Sequence, residues 1–303
     1  MAAGIYVEIL IHGTMDEVWE KTQNPQLHKL WDLRFTDIEY LPRSSESEPQ
    51  RFLYATKIGF GLALKGEGET LGTRDDASGS RTSSLKFWSE NPVSLISEGS
   101  GYWKYIPTPE GIKFLTWYDY KTRFGPLGAL LDGMIFRPLM GWATAWSFDR
   151  LRRWIEDGLP PQATFSASMC FAIARCALSF VWIYQGLIPK LVFKHQDEMT
   201  MLSQAGISYE LAGNLLMMLG AAEIIFGLTL LIWWQDRKLL WMNVILMIAA
   251  LAAVSIKSPG YLVAAFNPVA LNLSMLALSA GAIALSPYIP TAKTCKRTKP
   301  ESD

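Results

Sequence analysis

Two ionisable residues stand inside stretches of chain that are otherwise apolar enough to cross a bilayer, Arg175 and Glu223. A guanidinium stays charged under all working conditions, and an uncompensated charge at mid-bilayer costs about 3 kcal/mol on insertion scales. The chemistry open to such a pair is mutual neutralisation, or the handling of a proton or polar ligand inside the membrane. Arg175 lies about nine residues in from one end of its stretch, roughly 14 Å at the α-helical rise. Glu223 lies at a similar depth in the next stretch, which runs back the other way. The expectation is a buried salt bridge between Arg175 and Glu223.

The first half of the chain also carries groups able to do chemistry, namely His12, His28, Asp32, Arg34 and Glu39. No spacing unites either histidine with a nucleophile and a carboxylate, so a catalytic triad is not expected. Asp32, Arg34 and Glu39 read as a solvated rim. The run "GFGLALKGEG" lacks the strand-to-helix context of a phosphate loop. Cys170, Cys176 and Cys295 form no CxxC pair, which argues against zinc and a disulfide framework. His195 is the only histidine of the second half, so an intramembrane bis-histidine haem has no ligands, and no cysteine cluster could hold iron–sulfur. No cofactor or metal is therefore expected.

The elements that must position these groups divide the 303-residue chain in two. Half of the residues are hydrophobic and 18% charged, and nearly all the charge lies before Gly158. The formal net charge is zero, which removes any global electrostatic case for a nucleic-acid partner. The opening "MAAGIYVEILIHG" lacks a basic n-region and reads as a strand rather than a signal peptide. Its Ile5, Val7, Ile9 and Ile11 share one face. Thr14 and Glu17 have capping-box spacing, and Asn24–Pro25 reads as an N-cap and first turn. Six further strands follow, ending at "IKFLTWYDYKT", and the half closes on a helix in which Leu139, Trp142, Trp146 and Arg150 recur at helical spacing.

That order of a strand, two short helices, about six antiparallel strands and a long final helix resembles the START-like superfamily, also called SRPBCC or polyketide cyclase-like. The opening "MDEVWEKTQNPQLHKLWDLRF" carries the resemblance, which covers roughly residues 4 to 157. It implies an α+β helix-grip fold, an antiparallel sheet around a long C-terminal helix, with an apolar cavity for a hydrophobic ligand. Trp31, Trp88, Trp103, Trp117, Trp142 and Trp146 are the candidates to line it, although strand and helix aromatics more often just fill a core.

After "DGLPPQ" four apolar stretches have the length of membrane spans, about Phe165–Ile188, Leu211–Trp233, Leu239–Ile256 and Pro268–Pro287. Four crossings put both ends on one side. Arg150, Arg152, Arg153, Arg237, Lys238, Lys293, Lys296, Arg297 and Lys299 gather there, against Lys190, Lys194 and Lys257 opposite. The positive-inside rule then makes the N-terminal domain and the tail cytoplasmic. Trp233, Trp234 and Trp241 would mark the inner boundary, and Trp182, Tyr184 and Tyr261 the outer. Gly213, Gly220 and Gly227 recur every seven residues beside Leu216, Glu223 and Leu230, so this seam faces a neighbouring helix, as does the seam of Ala172, Ser179 and Gly186. Asn267 reads as a helix cap, and Lys190 as a residue that snorkels outward.

The segments "WIYQGLIPKL", "LGAAEIIFGL" and "FNPVALNLSMLALSAGA" together resemble the DoxX-like family of four-helix membrane proteins. The resemblance implies a polar set made of Tyr184, Gln185, Gly186, Lys190, Glu223, Asn267 and Asn272. The expected boundaries are a START-like domain over residues 1–158, an all-α four-helix transmembrane bundle over 159–290 and a polar basic tail over 291–303. Arg175, Tyr184, Gln185, Glu223 and Asn272 form the expected intramembrane polar cluster.

Three functions fit. A membrane-tethered protein binding a lipid or other hydrophobic small molecule comes first. A quinone-linked redox-associated membrane protein, suggested only by the DoxX-like resemblance, comes second, and a cyclase- or dehydratase-type enzyme third. A membrane-protein partner or a homo-oligomer is compatible with each.

Overall fold

The computed structural model describes residues 4–45, 48–59, 62–265 and 267–300. The chain forms two compact units, one made of the residues up to Thr164 together with those from Pro290 onward, the other of Phe165–Ile289. The first unit opens with β1 (Ile5–Ile11), α1 (Met15–Gln23) and α2 (Pro25–Trp31). The local signals act as their spacing requires. Thr14 Oγ1 accepts from the Glu17 amide while the Glu17 carboxylate accepts from the Thr14 amide, and Asn24 Oδ1 accepts from the Gln26 amide. Six strands follow, β2 (Asp37–Tyr40), β3 (Arg51–Gly59), β4 (Leu62–Asp75), β5 (Arg81–Trp88), β6 (Ile96–Thr108) and β7 (Gly111–Thr122). Every pairing is antiparallel and the order is β1-β7-β6-β5-β4-β3-β2, so the first strand closes onto the last.

A helix that the strand and turn signals did not foretell, α3 (Gly125–Leu131), runs through one π-helical turn (Asp132–Phe136) into α4 (Arg137–Glu156). α4 lies in the grip of the sheet. Phe148 and Leu151 on it are fully buried among Val7, Ile9, Ile11, Tyr105 and Phe114. Full burial of each such side chain contributes about 1.5–3 kcal/mol. The sheet around a long final helix is the helix-grip arrangement expected of a START-like domain.

The basic tail is part of this unit rather than a loose extension. Lys296 exchanges both backbone hydrogen bonds with Glu8 on β1, and Ala292 enters the core. The fully buried Asp149 carboxylate accepts from the Thr291 amide at 2.8 Å and from Thr294 Oγ1 at 3.0 Å, as well as from Arg152 and Arg153. These donors meet the hydrogen-bonding needs of a carboxylate that has no access to solvent.

The second unit is helical. α5 (Pro161–Gln185) continues as a π-helical segment (Gly186–Val192), and α6 (Gln196–Gln204) is a short extra helix where sequence reading placed only a polar loop. α7 (Tyr209–Ile232), α8 (Arg237–Lys257) and α9 (Pro268–Leu285) follow. Among the described residues four segments are long and apolar enough to cross a membrane, 161–192, 209–232, 237–257 and 268–294. The first, at 32 residues, is longer than its apolar run suggested, because the π-helical turns carry the chain past Pro189. Asn267 caps α9 through the Ala270 amide. Phe266, the first residue of the "FNPVALNL" segment, lies outside the described residues.

Candidate functional site

In the first unit the functional geometry begins with strand alternation. Residues whose side chains face α4 are Phe114, Tyr118 and Tyr120 on β7, Trp103 and Tyr105 on β6, and Phe87 on β5. Carrying the register across β4 to β3 places Phe52 and Tyr54 on the same concave face, opposite Gly68 and Gly66. There a side chain on β4 has no room. A Cβ on Gly68 would stand 2.3 Å from the Phe52 ring, and one on Gly66 2.3 Å from the Tyr54 ring. Phe87 covers Gly99 in the same way. The rings lie over backbone, and the face they make is mainly aromatic, with Ile38 and Leu85 as aliphatic members.

This face is also less filled than the rest. The buried core ends near β5, whereas Phe52, Tyr54 and Phe35 remain half-buried. Their rings form a connected path. Tyr40 meets Phe52 at 6.1 Å, Phe52 meets Tyr54 at 6.5 Å, Tyr54 meets Phe35 edge-on at 5.6 Å and Phe35 meets His28 at 5.2 Å. His28 then stacks on Trp31 at 5.0 Å and meets Trp103 edge-on at 4.9 Å.

The path ends on buried charge. Asp32 Oδ2 accepts from His28 Nε2 at 2.9 Å and from Arg34 at 2.6 Å, and Oδ1 accepts from the Arg34 amide and Nε. The Arg34 guanidinium lies 5.4 Å from the Tyr118 ring centre. Asp32 and Arg34 are therefore not the solvated rim expected of them. Asp32 is 1% exposed, while Glu39 does lie exposed. Burial pushes the Asp32 carboxyl up, but the Arg34 charge and the His28 and Arg34 hydrogen bonds outweigh it and hold it well below the usual carboxylate range. Burial pushes His28 down, partly offset by Asp32, so the ring is neutral. With Nε2 donating to a carboxylate, Nδ1 is left as an acceptor. The i,i+4 spacing of His28 and Asp32 across a helix end is the signal in the sequence for this dyad.

The six tryptophans separate. Trp31 and Trp103 face each other at 6.1 Å beside His28, and Trp146 is buried on α4. Trp142 is 42% exposed. Trp88 and Trp117 correct the expectation, because β-strand alternation turns them to the convex face, where Trp117 stacks on Tyr102.

In the second unit the expected Arg175–Glu223 bridge is absent. Arg175 is fully buried, yet it donates to backbone carbonyls, to Leu230 at 2.7 and 3.0 Å, Trp233 at 2.9 Å and Asp236 at 3.1 Å. Phe171 and Trp234 flank its guanidinium. The last carbonyls of a helix have no intrahelical partner and carry its negative dipole end. Arg175 caps the end of α7, two turns beyond Glu223. The depth estimate failed because the inner ends of α5 and α7 are not level: the two helices are staggered, and the carbonyls that end α7 lie beside Arg175.

Glu223 meets Lys190 instead. Lys190 Nζ lies 3.1 Å from Glu223 Oε2 and 2.9 Å from Glu198 on α6. The Glu223 contact is an ion pair without hydrogen-bond geometry, and Oε2 has no hydrogen-bond partner among the described residues. Lys190 is buried, which corrects the outward snorkelling expected of it. Its stem points back along the helix toward Glu223, as α-helical Cβ geometry directs. The glycine seam brings the pair together. A Cβ on Gly186 would stand 2.4 Å from the Gly220 carbonyl, and one on Gly220 2.7 Å from that of Gly186. Ser179 Oγ adds a 2.7 Å bond to the Gly227 carbonyl.

The remaining members of the expected cluster do not join it. Tyr184 is half exposed against Phe180, Gln185 contributes its carbonyl to Lys190, and Asn272 is buried separately on α9. Trp182, placed at the outer boundary by its type, is buried in the bundle. Its Nε1 donates to Asn243 Oδ1, and Asn243 Nδ2 donates to Ser279, both at 2.7 Å. The lone asparagine within an apolar span was the signal for this bridge.

Lys190→Met is expected to lower the thermal midpoint of the full-length protein in detergent, because it leaves two carboxylates without their cation. Adding Glu223→Gln should recover part of the loss. A double variant no more stable than Lys190→Met alone would mean that charge pairing is not what Lys190 supplies.

The DoxX-like family matches residues 179–280. The chain is 51% identical over 183 residues to the uncharacterised membrane protein YndG of Bacillus subtilis, covering 60% of this chain and 68% of that protein. Among solved structures it is similar to the di-domain ARO/CYC StfQ from the steffimycin biosynthetic pathway. That match has 15% identity over 52% of this chain and 51% of StfQ, with a TM-score of 0.41, so the chain spans about half of StfQ's length. It is also similar to human StAR-related lipid transfer protein 5, at 16% identity over 50% of this chain and 74% of that one, with a TM-score of 0.36.

Proposed function

The chain belongs to the family of the Bacillus subtilis membrane protein YndG, and from that premise we propose that it is a membrane-anchored binding protein for a lipid or other hydrophobic small molecule. The path of rings from Tyr40 through Phe52, Tyr54 and Phe35 to His28 carries this reading. Half-buried rings over glycines give a flat apolar guest a surface to stack on, and ring rotation opens further space without moving the strands. A polar end on the guest would meet His28 Nδ1, whose tautomer Asp32 sets. The DoxX-like half serves as the anchor. The charge asymmetry of the loops supports an inner-membrane location with both termini in the cytoplasm. A chain that leaves the first unit at Thr164 and re-enters it at Pro290 needs an even number of crossings.

Mass spectrometry of small molecules co-purifying with the full-length protein in mild detergent tests the reading. One lipid or isoprenoid should be enriched over an unrelated membrane protein prepared identically. Tyr54→Ala, which removes a central ring, should reduce its amount about tenfold, the equivalent of about 1.4 kcal/mol. No enriched molecule, or equal amounts with Tyr54→Ala, would sink it.

The buried His28–Asp32 dyad favours a second reading, acid–base chemistry on the bound molecule of the cyclase or dehydratase kind. His28→Gln would then alter the chemical form of the molecule that still co-purifies, whereas a role in binding alone would lower its amount without changing its form.

A further inference from the structure

Between Phe124 and Trp142 the first unit wears its amphipathic helix inside out. Leu127, Leu130, Leu131, Met134, Ile135 and Leu139 recur at helical spacing along α3, the π-helical turn and the start of α4, and each is between 45 and 69% exposed. The small and polar side faces in. Asp132, 2% exposed, accepts from Tyr120 Oη at 2.7 Å and from Arg137 Nε at 2.8 Å, and Arg137 also reaches Asp119 at 2.9 Å. Gly128 is buried against the Arg123 carbonyl, where a Cβ would stand 1.7 Å away. These contacts fix the segment in one rotation about its axis, so the stripe cannot turn inward.

We infer that this stripe inserts into the surface of the lipid bilayer that the chain's own four spans occupy. The lack of charge on the outward side supports a lipid occupant. Asp132 and Arg137 are the only charged residues from Phe124 to Trp142, and they neutralise each other on the inward side. What faces outward is hydrocarbon alone, with Trp142 at its border, the residue type that favours the membrane–water interface. Continuity with the membrane-crossing part supports it as well. α4, on which the stripe ends, runs to Glu156, and the first membrane-length segment begins at Pro161, so the chain that carries the stripe itself goes on to enter a bilayer. A contiguous apolar stripe of this kind is an interaction surface rather than ordinary surface scatter. Without basic residues it binds by burial of apolar area, so attachment is independent of anionic lipid.

The test uses the full-length protein, with its native cysteines replaced by serine and an environment-sensitive fluorophore attached at Leu130→Cys. Val93→Cys, at an exposed loop position, serves as the reference. In vesicles of zwitterionic phosphatidylcholine, the Leu130 label should emit at shorter wavelength and be quenched at least threefold more by nitroxide-bearing lipid than the Val93 label. Met134→Asp should abolish that difference and leave the melting midpoint in detergent unchanged. Equal quenching at the two positions would overturn the proposal. So would a Leu130 label shielded in detergent at high protein concentration and released on dilution, which assigns the stripe to a second copy of the chain. A large fall in the melting midpoint with Met134→Asp would also overturn it, because the face would then be packed within the fold.

Discussion

Arg175→Met is expected to destabilise the membrane bundle by about 3 kcal/mol, and Arg175→Lys by nearly as much. The reason lies in what the guanidinium meets. Its nitrogens reach three carbonyls, those of Leu230, Trp233 and Asp236, at the end of α7 and in the turn toward α8. Methionine fills the volume but supplies no donor, and buried carbonyls left unmet cost about 1–3 kcal/mol each, with incomplete additivity. Lysine keeps the charge but offers a point donor in place of a planar fork, so it cannot serve three acceptors several ångströms apart. Neither change should be relieved by substituting Glu223, which caps nothing here. Denaturant titration of the purified protein in micelles gives the difference. An Arg175→Lys variant as stable as the parent would mean that charge, not the fork, is what the site requires.

Asp32→Asn should destabilise the first unit by about 3–5 kcal/mol, since it strands the Arg34 guanidinium in the core without its counter-ion. The same network makes stability depend on pH, with a sign that follows from the two shifts. The His28 pKa is lowered in the fold, so below about 6.5 the unfolded chain takes up a proton that the folded one resists, and stability falls. Asp32 is also lowered, so its contribution is present above about pH 4 and is lost as the pH drops below that value. Acid should therefore weaken the unit in two windows. His28→Gln, which keeps a donor for Asp32, should flatten the upper window and leave the lower one. Thermal midpoints of the full-length protein from pH 8 to about 2 measure both, and an unchanged slope between pH 7 and 5 in His28→Gln would show that the ring titrates normally.

Local pattern by itself determined much of this protein. Period-two alternation in "IYVEILI", the Thr14–Glu17 box, the Asn24 and Asn267 caps and the strand–helix order suffice for a seven-stranded sheet around a helix. Four long apolar runs suffice for four spans, and the seven-residue spacing of Gly220 and Gly227 suffices to say which face of α7 meets its neighbour. These features depend on residues a few positions apart, where backbone geometry leaves few alternatives.

Partner choice among polar residues was decided only by the tertiary structure. Arg175 and Glu223 are each credible partners for the other in one dimension. A difference of two helical turns in stagger sends one to helix-end carbonyls and the other to Lys190. The exposed side of α3 and α4 has the same origin, because helical periodicity marks an apolar stripe without saying which way it points. The contacts of Gly128, Asp132 and Arg137 settle that direction. A helix face or a buried charge takes its partner from whatever element packs against it, and that element is set by the summed packing of the whole chain rather than by its neighbours in sequence.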